Sequence, residues 1–276
     1  MRLPLVILAF LAFTPTLGGL VVIAAALGVK DRPGGIYDWC ARLWAILIAR
    51  AGGARITVHG AERISSTEPR VYVSNHVSWF DVFTLASVLP RCRFVAKAEL
   101  ARIPIFGPGA RAAGTVFIDR DNRMAAFESY MAAGRKIHDG ASVVVYPEGT
   151  RGRTYAIRPF KKGPIVLAIS SGVPIIPVVV YGTIAIQAKG SWRITPGDVH
   201  LHFLEPISTA NLGYEDRDRL AQQVAERMAR TLYDCYGVES PGVYPVTPPA
   251  VERQPPSASP ITPSLSTAPS CPPSSN

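Results

Sequence analysis

Two long apolar runs open the chain, Leu3 to Leu27 and Ile36 to Ala51. The first is broken only by Thr14, Pro15, Thr16 and two glycines, and it is long enough to cross about 30 Å of hydrocarbon. The second carries Trp39 and Trp44 among its aliphatics, a pairing suited to a membrane interface. Beyond them the apolar residues come in short bursts. Those at 71–74, 93–96, 115–118, 142–146, 175–181 and 199–203 have the length and β-branched content of strands. Helical patterns alternate with them. Asp121 is placed to cap a helix running towards Ile137, with Met124, Phe127 and Met131 on one side. From Glu215 to Tyr236, Leu220, Val224, Met228 and Leu232 recur every fourth residue and form one stripe.

This alternation predicts an α/β fold, with a central, largely buried mixed sheet flanked by helices and an N-terminal hydrophobic, membrane-anchoring helical segment. The expected organisation is a membrane segment over residues 1–52, a catalytic domain over 53–239 and a tail over 240–276. The tail holds 11 prolines and 8 serines among 37 residues, too little apolar side chain to build a core, and is expected to be disordered.

The formal charge is +9. The tail's Glu252 and Arg253 cancel, so the excess lies before it and points to an anionic membrane or substrate. No zinc finger or basic–aromatic array supports nucleic acid as the partner. Cys40, Cys92, Cys235 and Cys271 are scattered, which suggests neither a metal site nor a disulfide framework. His200 and His202 share one face of an expected strand, read as a solvated face. Arg2 before the first apolar run suits a signal peptide as well as an anchor. The length of the run, and Lys30 and Arg32 directly after it, favour a retained anchor with a cytoplasmic body.

The candidate chemistry begins at Asn75-His76-Val77-Ser78-Trp79-Phe80-Asp81. Histidine moves protons near neutral pH, and a neighbouring carboxylate fixes its tautomer and stabilises the imidazolium. On one continuous helix His76 and Asp81 would lie about 140° apart. They meet if His76 sits in a loop and Asp81 in the first turns of the helix that follows. Gly114 to Arg120 reads as a short strand whose exit presents an arginine fork suited to phosphate. The run Val143 to Tyr146 leads through Pro147 into Glu148-Gly149-Thr150-Arg151, with Arg153, Arg158, Lys161 and Lys162 close behind. Such a density of cations suggests an anionic ligand. Gly172 to Val180 is apolar throughout and reads as core strand.

Taken in order, these blocks resemble the motifs of the PlsC-type glycerolipid acyltransferases, the 1-acylglycerol-3-phosphate acyltransferases. Asn75, His76, Ser78 and Asp81 match Asn-His-x-Ser-x-x-Asp; Phe117, Ile118 and Arg120 match Phe-Ile-x-Arg. Residues 147–151 match Pro-Glu-Gly-Thr-Arg without change, and 173–177 match the Val-Pro-Ile-x-Pro run. Lys97 in Val95 to Leu100 and the segment Phe160 to Gly163 also look like the family's. The resemblance covers roughly residues 55 to 205. It implies acyl transfer from acyl-CoA or acyl carrier protein to the hydroxyl of lysophosphatidic acid, with membrane lipid as partner and no prosthetic group or metal. His76 and Asp81 would be catalytic. Arg120, Arg151, Lys97, Glu148, Gly149 and Thr150 would bind substrate, and backbone N–H groups or Lys97 would receive the oxyanion. The body would lie on the cytoplasmic side of the inner or plasma membrane. Glycerol-3-phosphate, another lysophospholipid or lyso-ornithine lipid are alternative acceptors. Gly152 to Tyr155 lack the serine often found after the arginine. Ser78 is not set in a Gly-x-Ser-x-Gly elbow, so a hydrogen-bonding role is expected for it.

Overall fold

A computed structural model of the chain describes residues 1–119 and 123–243, and the side chains of all of these except 123–128, 131 and 132. Arg120, the Asp121 cap, the Met124–Phe127–Met131 face and the tail from 244 lie outside the described residues or side chains.

Seven strands form one sheet: β1 (Ala54–His59), β2 (Val71–Ser74), β3 (Cys92–Lys97), β4 (Val116–Ile118), β5 (Ser142–Val145), β6 (Ile175–Tyr181) and β7 (Gly197–Phe203). Their order is β1-β7-β6-β2-β5-β3-β4. Neighbours run parallel except β6 and β7, so the sheet is mixed.

Side chains alternate across the sheet with the period of two that extended backbone imposes. Val71, Val73, Val143, Val145, Ile175 and Val179 point to one core, built with α5 (Arg123–His138), α6 (Lys162–Ser171) and α8 (Arg217–Tyr236). Tyr72, Val144, Ile176, Val178 and Val180 point to the other, built with α1 (Leu3–Ala26), α2 (Ile36–Gly52) and α3 (Phe80–Val88). Both faces are covered, which is why the strands read as continuous apolar runs. The stripe Leu220, Val224, Met228 and Leu232 is buried as its spacing predicts. Two short α-helices, α4 (Phe106–Ala112) and α7 (Thr183–Ile186), complete the α-helices of the described residues.

The two apolar N-terminal runs are helices folded against the body. Phe10 of α1, Trp44 of α2 and Phe83 of α3 meet edge to face at centroid separations of 5.4–5.6 Å. The α1–α2 connection is tied down electrostatically. Arg93 of β3, only 1% exposed, pairs with Asp38 at 2.8 Å and Asp31 at 3.0 Å.

Three readings change. β1 is a strand that the apolar-burst pattern passes over, because only Ile56 and Val58 alternate in it and it sits at the sheet edge. His202 is not on a solvated face: its ring stacks on His59 at 4.2 Å, and its Nε2 meets the Tyr236 hydroxyl at 2.6 Å. Burial, with His59 and His200 beside it, lowers its pKa to about 4. Cys40 and Cys92 are free thiols, whereas Cys235 is disulfide-bonded, against the expectation of no disulfide.

Candidate active site

The site forms where adjacent parallel strands end together. β2 and β5 pair in register, Val73 opposite Val145, so the loops leaving them emerge side by side. Those loops carry His76 and Glu148. β6 lies on the other side of β2 and delivers Gly182 and Thr183 to the same end. Asn75 fastens these two strands. Its amide donates to the Val180 carbonyl at 2.9 Å and accepts from the Val180 N–H at 2.8 Å, continuing the ladder one step past the last strand residue.

His76 leaves the strand in a loop, and Asp81 lies in the first turn of α3, as the spacing requires. Their contact is direct, Nδ1 to Oδ2 at 2.8 Å. The same Oδ2 accepts the N–H groups of Val77 (2.6 Å) and Ser78 (2.8 Å), while Oδ1 accepts the Thr183 hydroxyl at 2.5 Å. Asp81 is fully buried and its two oxygens together accept four hydrogen bonds, which fixes the carboxylate in place. The His76 ring stacks on Tyr146 at 4.0 Å, so its plane is set by packing as well as by the carboxylate. Burial pushes the Tyr146 hydroxyl well above its usual range, so the ring presents a neutral face to the imidazole.

Ser78 is buried and occupied: its hydroxyl donates to the Gln187 carbonyl at 2.7 Å and accepts the Phe80 N–H at 3.2 Å. It serves as a brace between the histidine loop and the segment after α7.

The Glu148–Arg151 turn closes over this pair. The Gly152 N–H donates to the His76 carbonyl at 2.7 Å. Gly149 adopts φ +77°, a conformation that favours glycine, and a Cβ there would displace only the far end of the flexible Lys161 side chain. The Glu148 side chain is 2% exposed; Oε2 pairs with Arg158 Nε at 2.5 Å. Arg158 also bonds the Thr150 carbonyl, spanning the turn like a strut. Burial raises the Glu148 carboxyl to about 7, against the opposing pull of Arg158. The guanidinium of Arg158 is 39% exposed and partly screened by water, so desolvation wins.

Arg151 lies over the Trp79 ring at 4.7 Å. Burial lowers its pKa, although the Asp81 charge draws it the other way. Lys97 ends β3 in a half-exposed pair with Glu99 at 2.5 Å, and among the described residues none of its hydrogen bonds or ion pairs reaches the His76–Asp81 pair. The structure thus brings together His76, Asp81, Glu148, Gly149, Thr150 and Arg151, and leaves Lys97 at the rim. Among the described residues no group of three or more His, Cys, Asp or Glu is placed to hold a metal ion.

Sequence reasoning passed over Thr183 and Tyr146, and read Arg158 only as one of a group of cations facing an anionic ligand, not as the partner of Glu148. Thr183 follows a strand exit, the feature that marked the Glu148 loop, and the same rule would have flagged it.

The acyltransferase family model matches residues 55–181. The chain is 34% identical over 189 residues to 1-acyl-sn-glycerol-3-phosphate acyltransferase alpha of Homo sapiens, covering 68% of this chain and 67% of that protein. The chain belongs to the acyltransferase family. It is also 36% identical over 159 residues to 1-acyl-sn-glycerol-3-phosphate acyltransferase of Cocos nucifera, covering 57% of this chain and 51% of the relative. Among solved structures, the 1-acyl-sn-glycerophosphate (LPA) acyltransferase PlsC from Thermotoga maritima superposes with a TM-score of 0.69 at 28% identity, covering 83% of this chain and 95% of that one. The chain spans about half to two thirds of the length of the curated relatives it matches. The family match contains the histidine loop and the Glu148–Arg151 turn.

Proposed function

We propose that this acyltransferase moves a fatty acyl group from an acyl thioester, acyl-CoA or acyl carrier protein, to the free hydroxyl of lysophosphatidic acid, forming phosphatidic acid. The observation that carries the reading is the buried His76–Asp81 pair lying against a turn that presents Arg151. The names of the relatives support the choice of acceptor.

With Nδ1 held as donor to Asp81, Nε2 is the ring nitrogen left to act as base. It takes the proton of the acceptor hydroxyl as that oxygen attacks the thioester carbonyl. The tetrahedral intermediate collapses with loss of the thiolate, and the imidazolium returns the proton to sulfur. Proton transfer of this kind contributes roughly 10²- to 10⁴-fold. Arg151 binds the acceptor phosphate, and Arg120 and Lys97 are further candidates for that charge. Glu148, Gly149 and Thr150 shape the turn that holds the glycerol.

Membrane seating belongs to the reading, with residues 1–52 as the lipid-embedded segment and 53–239 as the catalytic part on the cytoplasmic side. α1 is long and apolar enough to cross a membrane, yet it packs on the body near both ends, through Val6 and Ala9 and again through Val21 and Ala24. A helix so attached lies along the body, and its outer residues enter lipid while the domain rests on the surface. Trp192, 77% exposed, sits two residues from Ile194, whose carbonyl accepts the Arg2 N–H at the start of α1. An exposed tryptophan near the start of α1 suits a membrane interface.

The test is acyl transfer by the full chain in liposomes, offering acyl-CoA with lysophosphatidic acid and following free thiol and phosphatidic acid together. Equal yields of both, lost in His76→Ala, are expected. Thiol without phosphatidic acid would overturn this acceptor assignment.

A further inference from the structure

The segment from Gln187 to Ile194, between α7 and β7, is built into the site. Ser78 holds the Gln187 carbonyl at 2.7 Å, and the Gln187 amide holds the Ser191 carbonyl at 3.1 Å. Between these anchors Lys189 turns inward, and its Nζ donates to the Arg151 carbonyl at 2.7 Å. Lys189 therefore reaches the same turn that carries Arg151. Lys189 is half-buried and, among the described residues, forms no ion pair with a carboxylate; the same holds for Arg151.

The other charges nearby are accounted for. Arg158 is paired with Glu148 at 2.5 Å, Lys161 is exposed to solvent, and Asp81 is saturated by His76, Thr183 and two N–H groups. What remains is two partly desolvated cations at one turn without a counter-charge. Cations that have no carboxylate partner in the folded chain are free to take an anionic ligand through charge-assisted hydrogen bonds. A phosphomonoester at pH 7 carries about −1.5 to −2, close to what two cations would balance. A phosphodiester carries one charge, and a monoacylglycerol none.

We infer that Lys189 is the second cation of the acceptor-phosphate site, paired with Arg151, and that this pair selects a phosphomonoester head group. The inference rests on the acceptor reading above and adds a residue and a selectivity to it. Two of the three ammonium donors remain for phosphate after the bond to the Arg151 carbonyl.

The experiment is equilibrium binding to the full-length protein in detergent micelles without acyl donor, so that no turnover occurs. The ligands are lysophosphatidic acid and monoacylglycerol with the same chain. Lys189→Gln keeps an N–H donor for the Arg151 carbonyl but removes the charge; Lys189→Arg keeps the charge. The wild type is expected to prefer lysophosphatidic acid. Lys189→Gln is expected to weaken lysophosphatidic acid binding roughly 10- to 100-fold, with monoacylglycerol binding and Tm unchanged, and Lys189→Arg to retain most of the preference. Unchanged preference in Lys189→Gln overturns the inference, as does equal loss in both variants, which would make Lys189 a brace for the turn. No preference in the wild type overturns it as well. A preference that depends on Lys189, without phosphatidic acid formation in the liposome assay, would uphold this site while rejecting the proposed reaction.

Discussion

At the scale of single residues, the site depends on one buried carboxylate serving four donors. Asp81 accepts from His76, from two backbone N–H groups and from Thr183. Asp81→Asn replaces one acceptor oxygen with an NH₂ that must face a donor, so the histidine loses its fixed tautomer and the loop loses a cap. The expected loss in kcat is roughly 10³- to 10⁴-fold, with a fall in stability of about 1–3 kcal/mol. Acyl-transfer kinetics and thermal melts check both, and near-normal turnover would remove Asp81 from the mechanism. Glu148 makes a different prediction. Its folded-state pKa, about 7, lies above the ordinary value of 4.5, because burial outweighs Arg158. Between those values the folded state holds a proton that the unfolded chain has released. Stability from this group is thus complete below about 4.5 and is lost as pH rises through 7. Glu148→Gln does not titrate, so its Tm relative to wild type should climb from pH 4.5 to 7 and then level off. A difference that is flat, or slopes the other way, would show that the carboxyl is not held protonated.

Among the elements, what could be read from the sequence was whatever is local. The His76 loop followed by the Asp81 helix was fixed by a five-residue spacing and the turn of a helix, and the stripe on α8 by its four-residue repeat. Thr183 was legible only as a strand-exit residue; its bond to Asp81, 102 residues away, depends on a register between β2 and β6 that no local pattern encodes. β1 was missed for a related reason: an edge strand with two alternating apolar residues is recognisable chiefly by its partner, β7. The His59–His202 stack arises only once those two strands pair. Arg93 belongs to the same class, a charged residue inside an expected strand whose burial makes sense only after Asp31 and Asp38 arrive from the N-terminal helices. This clamp yields a prediction about how elements are joined. Asp38 is nearly buried, so Asp38→Ala leaves a buried guanidinium short of its main partner and should cost about 3 kcal/mol. Asp31 is 35% exposed and water can replace it, so Asp31→Ala should cost about 1 kcal/mol or less. Denaturant midpoints of the two variants would decide, and equal effects would mean the clamp is not what ties the α1–α2 connection to β3.

For the whole molecule, the proposed function raises the problem of how a site made of buried charge would meet an acceptor held in a bilayer. The body has a +9 excess, and α1 shows opposed faces: Val6 and Ala9 belong to the core, while Leu5, Leu8 and Leu11 are exposed. Those leucines are 48%, 63% and 69% exposed, on a helix anchored by α2 and by the Arg2–Ile194 hydrogen bond. Lipid is the apolar phase that, on the proposed function, would cover them. Burying two leucines in the acyl region is worth about 3 kcal/mol, at roughly 1.5 kcal/mol each. Leu8→Lys combined with Leu11→Lys should therefore weaken binding to anionic vesicles roughly 100-fold, measured by co-sedimentation. Because both positions face away from the core, Tm in detergent should hold. Turnover on lysophosphatidic acid embedded in vesicles should fall with binding, while turnover on the same lipid dispersed below its micelle concentration should persist. Vesicle binding unchanged by the two lysines would place the contact with the bilayer elsewhere than on this face of α1.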